Sequence, residues 1–144
     1  MRSTAGPIRP GDELVQTFVS RADFLCAVEI EVATWSKRIP SGRIHMQLLQ
    51  TGDGTVEVAS WRVPLSGVSD NSFVRLDFPR IQDSRGKSYA IALSAEQVPP
   101  GYDVAVWLSG RDVYPAGEFS INGRRQEGDA ALRTYVCPEV AGAR

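Results

Sequence analysis

Hydrophobic and polar residues alternate with a period of two along much of the chain, most clearly in Phe24, Cys26, Val28, Ile30 and Val32, with Glu29 and Glu31 between them. Successive side chains of an extended strand point to opposite faces. This spacing therefore predicts a strand with one buried apolar face and with Glu29 and Glu31 on a hydrated outer one. The same period recurs in Ile44, Met46 and Leu48, in Val74, Leu76 and Phe78, in Tyr89, Ile91 and Leu93, and in Val104, Val106 and Leu108. Shorter candidates are 14–19, 55–63, 118–121 and 132–136.

Turn chemistry separates these segments: Pro40-Ser41-Gly42, Gly52-Asp53-Gly54, Ser69-Asp70-Asn71, Asp83-Ser84-Arg85-Gly86, Pro99-Pro100-Gly101 and Asn122-Gly123. Gly, Asn and Asp tolerate positive φ, and proline presets the φ of a turn. The Gly52-Asp53-Gly54 turn makes 42–63 a hairpin. About nine strands without an amphipathic helix predict an all-β chain, an antiparallel β-sandwich with the jelly-roll arrangement of about 8–9 strands. An immunoglobulin-like sandwich is the nearest rival. Strands on both sides of Pro99-Pro100 are needed for one core, so residues 13–138 read as one β-sandwich domain. Residues 1–12 read as a flexible N-terminal segment and 139–144 as a flexible C-terminal tail.

Composition agrees with one ordinary domain: 144 residues, 42% hydrophobic and 23% charged. A chain of this size buries roughly 70% of its unfolded surface and needs no metal or set of disulfides to fold. Sixteen basic residues against seventeen acidic ones leave a net charge of −1, which removes the counterion-release term that drives nucleic-acid binding. No run of eighteen apolar residues is present, so no transmembrane helix is expected, and the first twenty residues lack the apolar stretch of a signal peptide. The expected location is cytoplasmic for the chain as it stands, or the cell envelope if it is excised from a larger protein.

The inventory for catalysis is thin. His45 is the only histidine and alternates with Ile44 and Met46 on the polar side of its strand, the position of a solvent-facing residue rather than a base. Cys26 and Cys137 lie near opposite ends of the chain; a disulfide and a small core cysteine are both open readings. Gly86-Lys87-Ser88 imitates the end of a phosphate loop, but Ile81 stands where that motif needs glycine. Glu29 and Glu31 are spaced like a loose glycosidase pair, yet such acids normally come from different elements around a cleft. No cofactor is expected. Calcium is the one candidate, because Asp53, Asp70, Asp83, Asp103, Asp112 and Asp129 lie in or near turns, where Asp is also an ordinary residue.

Aromatic residues carry more information. Trp107 has the parity of Asp103 and Ala105, opposite to Val104, Val106 and Leu108, and Trp35 has the parity of Glu29 and Glu31. Large rings off the core face suit sugars, whose apolar C–H faces stack on indole while their hydroxyls take planar donors and acceptors. The alternative is that these rings cover the mouth of the sandwich. The stretch 107–117, followed by Asn122-Gly123, concentrates rings, a guanidinium, a carboxylate and glycines in one loop region. Trp107, Arg111, Asp112, Tyr114 and Asn122 are accordingly the candidate carbohydrate-binding residues.

Several short motifs, Gln16-Thr17-Phe18-Val19, Asp83-Ser84-Arg85-Gly86-Lys87-Ser88-Tyr89, the 112–117 loop with Asn122-Gly123, and Leu132-Arg133-Thr134-Tyr135, resemble a β-sandwich accessory module. Such modules are appended to bacterial glycosyltransferases and other cell-surface polysaccharide proteins. The resemblance covers nearly the whole domain and implies a jelly-roll fold like that of carbohydrate-binding modules, without catalysis. Its implied partners are a glycan or polysaccharide and a parent enzyme domain in the same chain; the balanced charge and the lack of a long apolar run add the expectations of no nucleic acid and no membrane span. A structural or protein-interaction sandwich without a glycan ligand is the alternative expectation.

Overall fold

A computed structural model of the chain describes residues 3–109 and 117–138. Among them the chain forms eleven strands: β1 (Thr4–Ala5), β2 (Leu14–Val19), β3 (Leu25–Ala33), β4 (Arg43–Gln50), β5 (Val56–Pro64), β6 (Ser72–Ile81), β7 (Ser88–Glu96), β8 (Ala105–Trp107), β9 (Phe119–Ile121), β10 (Arg124–Gln126) and β11 (Leu132–Val136). Nine of them fall on the alternating segments. The other two described strands are β1 and β10, which at two and three residues are too short to carry a period. A single 3-10 turn, Leu65–Gly67, is the only helical element described, so no described helix is long and apolar enough to cross a membrane.

All pairings are antiparallel, in two sheets. In the first, β6 lies along one edge of β3, while the other edge is shared by β11 and then β8, and β8 carries β1. The second runs β10-β9-β2-β7-β4-β5. Val28, Ile30, Val32, Val74 and Leu76 from the first sheet and Leu14, Phe18, Ile44, Met46, Leu48 and Ile91 from the second join one hydrophobic cluster. One core shared by two antiparallel sheets is a β-sandwich-like architecture. Each fully buried side chain of this size contributes about 1.5–3 kcal/mol.

Among the described residues two buried side-chain oxygens lack a hydrogen-bond partner, the hydroxyls of Thr34 and Tyr89. Tyr89 is fully buried against Phe18, with ring centroids 5.7 Å apart, and its hydroxyl makes no hydrogen bond. Burial also pushes its phenol pKa up, because the charged form loses its hydration. Removing an unsatisfied buried hydroxyl while keeping the ring removes a desolvation cost. Tyr89→Phe is therefore expected to raise the unfolding free energy by about 1 kcal/mol, read as a higher urea midpoint at unchanged slope.

Three sequence expectations change. Residues 3–12 are not a loose leader: β1 pairs with β8, Ile8 N–H donates to the Val104 carbonyl, and Ala5 and Ile8 are buried. Gly6 makes this docking possible, since its φ is +128° and a Cβ there would stand 2.9 Å from the Ala105 Cβ. Phe24 leaves the predicted core face, because an irregularity between Leu25 and Ala27 shifts the register and seats Leu25 in the core instead.

The hydrated outer face predicted for Glu29 and Glu31 is largely covered. Glu31 is buried, and the Glu29 side chain is only 13% exposed. The Tyr135 hydroxyl donates to Glu29 at 2.6 Å, with Arg75 and Arg133 at 3.7 and 3.9 Å. Those two arginines also lie over the rings of Tyr135 and Phe73. Because β3 is flanked along both edges, long side chains from β6 and β11 close over it. Cys26 and Cys137 form a disulfide that ties the start of β3 to the chain just beyond β11.

Candidate functional site

The pairing of β3 with β6 and β8 brings three strand ends together. Val32 is opposite Ser72 on one side and Val106 on the other, so the chain leaving β3, the turn entering β6 and the short strand β8 meet at one rim of the sheet. That rim holds Trp35, Asp70, Asn71 and Trp107 around a cleft of about 350 Å³ floored by Ala33. Trp35 is 50% exposed, and Trp107 is half-buried outside the core cluster. The off-core positions expected for both tryptophans from their parity are the ones they occupy.

The turn Ser69-Asp70-Asn71 builds this site. The Thr34 N–H donates to Asp70 Oδ1 at 2.6 Å, and the Ser36 N–H and hydroxyl donate to Oδ2 at 2.8 and 3.4 Å. Trp35 and Ser36 both have positive φ, 53° and 62°, a conformation side-chain-bearing residues seldom adopt unaided. Bonds to one carboxylate on either side of Trp35 offset that cost and hold the indole at the rim. Next to it, Asn71 adopts φ 59° and accepts a hydrogen bond from Trp107 Nε1 at 2.8 Å. One dipeptide thus fixes the loop that carries one tryptophan and the indole of the other.

The Thr34 amide, followed by the Ser36 amide and hydroxyl, holds the Asp70 carboxyl below the usual Asp value of about 3.9. A depressed folded-state pKa means that the stabilisation is fully present above the unfolded-state value and is lost as pH falls through the folded-state one. Asp70→Asn is expected to lower the unfolding free energy by about 1–2 kcal/mol near neutral pH, discounted for partial exposure. In urea titrations repeated across pH, the gap between wild type and variant should narrow only in acid below the usual Asp range. A gap that is constant down to pH 2, or absent at pH 7, would contradict the assigned role.

The other candidate residues fall elsewhere. Arg111, Asp112 and Tyr114 lie outside the described residues. Asn122 is on the second sheet, at the turn between β9 and β10. Its Oδ1 accepts from the Glu13 N–H at 2.8 Å, and its Nδ2 donates to Asp12 Oδ1 at 2.9 Å. Its amide is the first cause of a lowered Asp12 pKa, so it acts as a clasp between that turn and the chain entering β2.

The turn aspartates are also dispersed. Asp83 pairs with Lys87 at 2.7 Å, and buried Asp129 accepts from Gln16 at 3.0 Å. Among the described residues no three of His, Cys, Asp or Glu are grouped to hold a metal ion. Sequence reasoning missed Asp70 and Asn71 as site builders, since Ser69-Asp70-Asn71 is indistinguishable from an ordinary turn until β6 is known to pair with β3.

The third tryptophan, Trp61, is 44% exposed on β5, the edge strand of the second sheet among the described residues. It belongs to a different surface. No protein-family model matches the sequence, and no curated protein and no solved structure matches it.

Proposed function

We propose that this chain is a non-catalytic carbohydrate-binding-like module, an accessory to a bacterial glycosyltransferase or polysaccharide-assembly protein. The single observation that carries the reading is the cleft in which Trp35 and Trp107 are held by Asp70 and Asn71. Indole faces take the C–H face of a sugar ring, and the neighbouring Ser36, Asn71 and backbone groups offer hydrogen bonds to its hydroxyls. Arg111, Asp112 and Tyr114 follow Trp107 closely in sequence and stay in the proposal on that ground. The module would act by raising the effective concentration of a polysaccharide near its enzyme partner.

Strand order supports a jelly roll as the fold behind this reading. The first eight strands pair as β1·β8, β2·β7, β3·β6 and β4·β5, with β8 beside β3 and β7 beside β4. That nesting is one long antiparallel ribbon folded across itself, the arrangement a jelly roll requires. The Cys26–Cys137 bridge supports an oxidising location, at the cell surface or beyond it, over the cytoplasm.

A glycan array followed by tryptophan-fluorescence titration tests the reading. A saturable response to at least one bacterial polysaccharide is expected, weakened in Trp107→Ala. Silence from every glycan would sink it. The second reading, a protein-interaction sandwich, is favoured by one observation: among the described residues β5 is an edge strand, with Trp61 at 44% and Val56 at 66% exposure.

A further inference from the structure

The tryptophan cleft does not stop at Asp70. A second cleft of about 450 Å³ adjoins it, sharing Ser36 and Asp70 as a common wall and adding Lys37, Arg38 and Ser66. Arg38 is exposed and forms no ion pair among the described residues, and Lys37 donates to the Gly101 carbonyl at 3.1 Å while facing the Tyr102 ring, also without a carboxylate partner among them. Among the described residues Asp70 is the only acid lining either cleft, and its oxygens are occupied by the amides of Thr34 and Ser36. Cations at the surface of a protein this rich in ion pairs are elsewhere often matched, as Arg43 and Arg62 are by Glu96 and Lys87 is by Asp83.

We infer that the ligand is an anionic glycan, with a sugar ring against Trp35 and Trp107 and the acid group of the same or the next residue at Lys37 and Arg38. This rests on the sugar-binding reading above and adds the class of sugar. A guanidinium bonds carboxylate or phosphate oxygens in pairs, and an ammonium with one donor committed keeps two for a second oxygen. Both a hexuronic acid and a phosphodiester-linked polymer supply that chemistry.

Fluorescence titrations with three probes separate the cases: a galacturonate oligomer, the same oligomer after carboxyl reduction, and a hexose oligomer linked by phosphodiesters. At low salt at least one anionic probe should bind about tenfold or more tightly than the reduced oligomer, the size of one charge-assisted contact. Arg38→Gln and Lys37→Gln should each shrink that ratio to about threefold or less and leave the reduced oligomer's affinity unchanged, which also reports that the variants are folded. Whichever anionic probe shows the variant-sensitive gain identifies the acid. Equal binding of charged and reduced oligomers, or a ratio that neither variant alters, overturns the inference while the sugar-binding reading stands. No response to any of the three probes overturns it too, and if the glycan array is equally silent the sugar-binding reading falls with it.

Discussion

Replacing Cys26 and Cys137 together with alanine is expected to lower the unfolding free energy by about 2–4 kcal/mol, the largest stability effect anticipated for this chain. The bridge spans 111 residues, nearly the whole sandwich. Closing a loop of that length restricts the unfolded chain by up to about 4.7 kcal/mol in the chain-entropy account, and real bridges usually deliver less. The native state loses something as well. Cys26 is buried at the start of β3, and the Cys137 N–H bonds to the Phe24 carbonyl, so the bridge clamps the irregular end of that pairing. Urea unfolding of the oxidised protein, the reduced protein and the double variant should give two coincident low curves and one high one. Three coincident curves would show that β11 docks without help from the bridge.

The second large effect concerns binding. Trp35→Ala and Trp107→Ala are each expected to cost about 1–3 kcal/mol of glycan affinity, from about fivefold to about 150-fold, and the double variant should bind nothing measurable. The two residues are held differently, which allows stacking and positioning to be separated. Trp35 depends on the Asp70 clamp on the backbone beside it, whereas Trp107 depends on the bond from its Nε1 to Asn71. Trp107→Phe keeps an aromatic face and gives up that bond, so it should retain most of the affinity that Trp107→Ala loses. Trp61→Ala, on the other sheet, should leave affinity unchanged. Equal losses from all three alanine variants would point to a general loss of structure rather than a site.

Much of the sandwich is legible in the chain because strand period and turn chemistry are local. Val28, Ile30 and Val32, or Ile44, Met46 and Leu48, declare a buried face without reference to anything distant. Features that depend on partners in space are not declared. Glu29 reads as a surface acid until Tyr135, 106 residues away, is placed on its carboxylate. Residues 3–12 read as a loose end because β1 has two residues and takes its order from β8. Parity alone marked Trp35 and Trp107 as rings off the core, and half of the cleft was visible in that way. Its other half, Asp70 and Asn71, came from a turn some 35 residues away from each tryptophan, with the long-range bonds spanning 34 to 36 positions.

The three tryptophans allow the central claim to be tested in one titration. Each indole N–H gives a separate proton–nitrogen NMR signal, and the structure places two of them at the cleft and Trp61 on the edge strand of the other sheet, outside the lining of both adjoining clefts. Addition of a binding oligosaccharide should shift the Trp35 and Trp107 signals along a common saturation curve and leave Trp61 where it is. Movement of Trp61 with Trp35 and Trp107 unmoved would contradict the assigned site, and three unmoved signals across a panel of bacterial polysaccharides would contradict the function.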